Sequence, residues 1–325
     1  MYGIITSVIQ FATAHPVILF FIWGLIAAAV KSDLKIPNEV SKFLSYFLLF
    51  CIGLKGGHKL VGASSEDMFY TLALAVSSSI IIPVIVFFII KRFFKVQDAC
   101  ALAATFGSVS LVTYITTTHY LEQAGIHYDH YMTAALALME SPAIIIGISL
   151  LNKYDTNHQN KSSSKEAIKH AFTNGSVMML LGCLLIGYLL NGHGYEELTP
   201  LSENLFKGFL AFFMLDMGII AGKRMKSIPS SQKFKLLLIG VFIPLLSATI
   251  MFLIGIMFPL SKGNFILLLI LSSSASYIAV PATMRTAAPK ANPGIYTAVA
   301  LGITFPFNIS VGIPLYHKLV ELWIS

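Results

Sequence analysis

Residues 42–59 read KFLSYFLLFCIGLKGGHK and residues 207–224 read KGFLAFFMLDMGIIAGKR; the second stretch is a diverged copy of the first. Lys42 aligns with Lys207, Phe47 with Phe212, Gly53 with Gly218 and Gly57 with Gly222, all at an offset of 165. Later positions keep the register. Gly147, Ile148 and Leu150 match Gly312, Ile313 and Leu315 at 165, and Ser108, Ser110 and Thr117 fall on Ser274, Ser276 and Thr283 at 166. Apolar helices resemble one another by composition, but several elements agreeing on nearly one offset point to an internal duplication.

Each copy is made of membrane-length apolar segments. The 325 residues are 56% hydrophobic and only 11% charged, where a soluble domain carries roughly 25% charge. Asp, Glu, Lys and Arg are absent before Lys31 and from 68–90, 99–121, 171–195, 236–260, 263–284 and 291–317. Each run approaches the roughly 20 residues a spanning helix needs, and a charge at mid-bilayer costs about 2.5–3.5 kcal/mol. Shorter runs at 43–54 and 208–220 are bounded by Lys42 and Lys207, which can snorkel, and 131–152 is broken only by Glu140. The first 21 residues, MYGIITSVIQFATAHPVILFF, lack a basic leader and read as the first span rather than a cleaved signal.

The count is ten spans, five per copy. Five is odd, so the second copy enters the membrane from the opposite side. The expected fold is an all-α membrane protein of ten transmembrane helices in a 5+5 inverted repeat. Residues 1–151 would form the first repeat, 152–170 a polar cytoplasmic linker (NKYDTNHQNKSSSKEAIKH) and 171–325 the second repeat. Inverted repeats of this kind are the architecture of secondary carriers, with the substrate near the midplane and alternating access around it.

A net charge of +7 invites a nucleic-acid reading, but the distribution excludes it. Seventeen of the 22 Lys and Arg residues lie in loops after odd-numbered spans; the others are Lys55, Lys59, Lys207, Lys262 and Lys318. The positive-inside rule makes the first set cytoplasmic and puts both termini outside. Cys51, Cys100 and Cys183 fall inside spans at no metal or redox spacing and read as buried apolar side chains. No phosphate loop, ligand cluster or nucleophile motif occurs, so no enzyme is expected. His127 and His130 make at most a weak metal pair in an outer turn.

Chemistry concentrates in spans four and nine. ALAATFGSVSLVTYITTTHYL (101–121) holds Thr105, Ser108, Ser110 and Thr113 around Gly107, and ILLLILSSSASYIAVPATMR (266–285) holds Ser272, Ser273, Ser274, Ser276 and Thr283 with Pro281 inside. Proline deletes a donor, and Ser and Thr bond to backbone, so both segments are candidates for helices interrupted near the midplane. Half-helix N-termini then suit an anion, while unwound carbonyls and hydroxyls suit Na⁺. Small residues packing helices together are the competing explanation; equivalent clusters in both copies favour the site. The intramembrane acids Glu140 and Asp216 are candidates for holding a cation or proton, or else are uncharged and hydrogen-bonded to a neighbouring helix. His119 and Arg285, equivalent at an offset of 166, suit interfacial anchoring or anion guidance.

IGLKGG (52–57), FGSVSLVT (106–113), YLEQAGIHY (120–128), LMESPAI (138–144), LFKGFLAFFMLDMG (205–218) and above all PATMRTAAPKANPGIY (281–296) resemble the sodium-dependent bicarbonate transporter family over nearly the whole chain. The resemblance implies broken, crossing fourth and ninth helices and Na⁺-coupled bicarbonate uptake by a homotrimer in the bacterial inner membrane. It also implies a possible cytoplasmic signalling-protein regulator. Carried over by position, Ser110 and Thr113 would contribute to the anion site with Ser274, Ser276 and Thr283 facing them, and Glu140 looks like the family's acid shortly before a proline; the residues themselves add Ser108 to the anion set and Asp216 and Ser272 beside Glu140 for the coupling cation. The chain departs from the family at Leu111 and Val112, where the family has a Gly-Ser pair, and at Tyr277, where it has an aspartate. The loss of that carboxylate leaves Glu140 or Asp216 to replace its charge, or H⁺ to replace Na⁺. Carriage of another small carboxylate, or a channel or sensor on the same fold, are the alternatives.

Overall fold

The computed structural model describes residues 16–60, 65–155, 173, 175–190, 192–226, 228 and 230–324. The described residues are helical, with no strand. The helices are α1 Pro16–Ala29, α2 Asn38–His58, α3 Ser65–Ile90, α4 Val96–Gly107, α5 Leu111–Gln123, α6 Met132–Tyr154, α7 Gly175–Leu189, α8 Gly192–Thr199, α9 Phe206–Lys226, α10 Ser230–Gly255, α11 Lys262–Ser273 and α12 Ala279–Ala287. A last rod runs from α13, Pro293–Val299, to α14, Ile313–Trp323, through π-helical stretches Ala300–Thr304 and Asn308–Gly312. Another π-helical stretch, Pro200–Asn204, links α8 toward α9.

By length and apolarity, seven helical segments among the described residues can cross a membrane, counting Val96–Gln123 and Pro293–Trp323 as single segments. Three shorter apolar helices, Ile18–Ala29, Gly175–Leu189 and Lys262–Ser273, fall below that length. The ninth expected span is short because it stops at Ser273, resumes at Ala279 and ends at Ala287. Much of the expected linker, and the start of the expected first span, lie outside the described residues.

Packing sorts the helices into two groups. In one, α1 lies against α9 and α2 against α7. Glycines set these distances: a β-carbon at Gly218 would strike Phe21 O and one at Gly24 would strike Leu215 O. In the second pair, Gly57 meets Leu184 O and Gly187 meets Leu54 O in the same way. With no side chain between them the backbones approach closely, as membrane helices do where small residues line the seam. Gly53 and Gly218, matched in sequence, thus each seat a helix of the other copy.

In the second group α3 packs on α4 and α6, and α10 on α11. Both α4 and α11 are buried almost end to end, Gln97–Gly107 and Gly263–Ser273. A helix apolar on every side has no solvent face and belongs in the interior. Their outer ends are tied by side chains. Asn292 N donates to Asp98 Oδ1 at 2.7 Å and Lys290 N to Gln97 Oε1 at 3.0 Å, fastening the start of α4 to the turn before α13. In the other half Asp129 N donates to Asn264 Oδ1 at 2.8 Å, while Asn264 Nδ2 donates to Asp129 Oδ2 and Tyr131 Oη at 2.6 and 2.7 Å. Cys51, Cys100 and Cys183 are buried free thiols, as the sequence indicated.

Candidate functional site at two facing helix breaks

Helix α4 ends at Gly107, where only glycine fits: a β-carbon there would run into the ring of Pro83 in α3. Ser108 follows in extended conformation, with ψ 179°, and Ser110 caps α5 by accepting from Thr113 N at 3.2 Å. In the second copy α11 ends at Ser273, and Ser274 is likewise extended, with ψ 175°. The freed Ser273 carbonyl accepts from Asn308 Nδ2 at 2.9 Å. Helices α4 and α11 are both 12 residues long and start and stop 166 residues apart, the offset read from the serines.

The two breaks touch. Ser110 N donates to Ser274 Oγ at 3.0 Å, and Ser276 N donates to Thr105 O at 2.9 Å. Each unwound segment therefore supplies the partner its counterpart loses by leaving the helix, which is how irregular backbone survives deep inside a membrane protein.

Beside this junction lies a cavity with a water-accessible volume of about 30 Å³, lined by Ser110, Ser276, Tyr277 and Glu140 and walled in part by Ser45 and Ser176. A single water needs roughly 10–15 Å³ on this measure, so the space suits a ligand of a few atoms. The polar groups have defined directions. Ser110 Oγ accepts from both Thr113 N and Thr113 Oγ1, at 3.2 and 2.8 Å, so its own hydrogen is left to donate. Ser276 Oγ accepts from Val280 N at 3.4 Å and is a donor outward in the same sense. Tyr114 N bonds to Ser110 O at 3.1 Å, leaving the Leu111 amide without a carbonyl in the first turn of α5 and the Val112 amide directed at Tyr277 Oη. Tyr277 Oη is buried next to Ser110 and Val112 without a well-formed hydrogen bond to either. Donors converging at a helix N-terminus make an anion site.

Of the residues the sequence pointed to, Ser110, Ser276 and Glu140 line this cavity. Thr113 and Ser274 are one bond behind, holding Ser110 Oγ and Ser110 N. Ser108 Oγ is buried without a partner. Thr283 Oγ1 donates to Ala279 O at 3.1 Å within α12, and Ser272 Oγ to Leu268 O at 2.8 Å within α11; neither lines the cavity. Asp216 is buried in α9 beside Ser41 of α2, also off the cavity wall. Among the described residues no group of three or more His, Cys, Asp and Glu gathers around His127 and His130 or elsewhere. Sequence reasoning missed Ser45 and Ser176. Each is a lone serine in an apolar run, and only the packing of α2 and α7 brings them to the cavity.

Apolar helices of membrane length and a polar site at two broken helices define a multi-pass membrane transporter. The chain belongs to the Na⁺-dependent bicarbonate transporter superfamily, whose model matches residues 16–321. No curated protein matches the chain.

Proposed function

We propose that this protein carries bicarbonate across the membrane together with Na⁺. The observation that carries this reading is the cavity's asymmetry of chemistry: hydroxyl and amide donors from Ser110, Ser276, Tyr277 and the α5 N-terminus face one carboxylate, Glu140. A bare carboxylate about 4 Å from a bound anion would repel it by about 4 kcal/mol at an effective dielectric near 20. That is about a thousandfold in affinity. A cation beside Glu140 reverses the sign, so anion and cation bind together; this is the coupling. Family membership supports Na⁺ as that cation and bicarbonate as the anion.

The molecule works as ten helices in two inverted halves, residues 1–151 and 171–325 joined by the linker 152–170, with α4–α5 and α11–α12 crossing at the site. The reciprocal seating of α1 on α9 and α2 on α7 and the equal lengths of α4 and α11 support that symmetry. The four-helix group of α1, α2, α7 and α9 would rock against the remainder. The family resemblance extends the reading to a homotrimer in the bacterial plasma membrane with a cytoplasmic protein regulator.

Proteoliposomes loaded with purified protein should take up labelled bicarbonate only down an inward Na⁺ gradient. Glu140→Gln should retain bicarbonate binding and lose the Na⁺ dependence of uptake. Uptake driven by a proton gradient without Na⁺ would overturn the sodium assignment, and no uptake under either gradient would overturn the carrier.

A further inference from the structure

We infer that Tyr277 is the specificity-determining residue of the anion cavity: its hydroxyl donates to the bound oxyanion and its ring limits the site to oxyanions of about bicarbonate's size. This rests on the anion-site reading above and deepens it.

The residue is 8% exposed, and its hydroxyl oxygen is buried with no hydrogen-bond partner of good geometry. An orphaned buried hydroxyl costs about 1–3 kcal/mol, so a native structure that keeps one has a use for it. Its position supplies the use. The hydroxyl sits beside Ser110 and the Val112 amide, donors at the start of α5. An oxygen of a bound anion placed there accepts from Val112 N–H, Ser110 O–H and Tyr277 O–H together. No proton is transferred; the phenol stays neutral and serves as a third donor.

The ring does separate work. It stands edge-on to Phe305, with centroids 6.4 Å apart, and Phe305 is itself buried and packs edge-on to Phe21 of α1 at 5.0 Å. The aromatic wall is thus backed from both helix groups and has no room to swing outward. A cavity of about 30 Å³ bounded on that side suits an ion of bicarbonate's size, three oxygens around one carbon, over a longer-chain carboxylate.

Two substitutions divide these roles. Tyr277→Phe keeps the wall and removes the donor: KM for bicarbonate should rise about tenfold, with maximal rate and half-saturating Na⁺ within about twofold of wild type. Tyr277→Ala removes the wall: butyrate, too long for the cavity of the wild type and of Tyr277→Phe, should compete with bicarbonate. Both variants are checked for unchanged elution as folded protein, and counterflow in proteoliposomes supplies the rates. An unchanged KM in Tyr277→Phe alongside normal wild-type uptake overturns the donor role and leaves the carrier reading intact. Butyrate competing equally in wild type and Tyr277→Ala overturns the wall. No bicarbonate uptake by the wild type overturns this inference and the carrier reading together.

Discussion

Single residues give the cavity its polarity. Ser110 is the clearest case: by capping α5 with its oxygen and accepting Thr113 Oγ1 as well, it is turned into a pure donor toward the cavity. Its identity as a site residue was legible in the sequence from the hydroxyl cluster; its polarity of hydrogen bonding was not, because that depends on where Thr113 folds. Glu140 was legible as an isolated acid in an apolar run, and its meeting with Ser110 across 30 residues of chain was not. Outside the spans, His130 in the turn before α6 carries a pH signature. Burial, with Lys59 and Lys55 nearby, lowers its pKa from 6.5 to about 4. The unfolded chain then binds the proton first as pH falls, so this histidine's contribution to stability is intact above about pH 6.5 and is lost progressively toward pH 4. Melting of the detergent-solubilised protein between pH 7 and 4 should show that decline, and His130→Gln should flatten part of it; an identical slope in the variant would remove the assignment.

At the scale of elements, the interruptions of α4 and α11 have different surroundings. The first stops where Gly107 meets the Pro83 ring, and the second where Asn308 takes over the Ser273 carbonyl. Sequence reasoning found both breaks through Ser, Thr and proline content, since these residues offer the backbone local alternatives. It placed the proline of span nine correctly inside the segment, but Pro281 falls in α12, three residues into the resumed helix, where a missing donor costs little. The α2–α7 seam makes a sharper prediction. Because a β-carbon at Gly57 would strike Leu184 O, Gly57→Val forces the backbones apart and should destabilise by about 1–3 kcal/mol. Gly182, with nothing near its β-carbon position, should accept the same change. Thermal shift of the two variants compares them directly; equal melting would mean that the seam is not tight.

For the whole molecule, the prediction concerns sidedness. Lys233 and Lys318 are both exposed, and the charge distribution assigns them to the cytoplasmic and outer faces. A membrane-impermeant maleimide on intact cells should label Lys318→Cys and leave Lys233→Cys unlabelled until the cells are permeabilised. The three native thiols are buried and give little background; the reverse pattern would invert the topology. That the chain is a helical multi-pass membrane protein was determined by the sequence alone, and the repeat and the hydroxyl-rich segments were read there too, because charge exclusion from hydrocarbon and a repeated register are properties of the linear chain. Only the tertiary structure decided which hydroxyls share a cavity, that Ser110 Oγ is occupied as an acceptor while Tyr277 Oη is left without a partner, and that Asp216, Ser272 and Thr283 stand off its wall. Those outcomes turn on close packing at glycine seams and on which backbone groups each break leaves free, and both depend on contacts between helices, at the seams and across the two breaks between segments more than 100 residues apart.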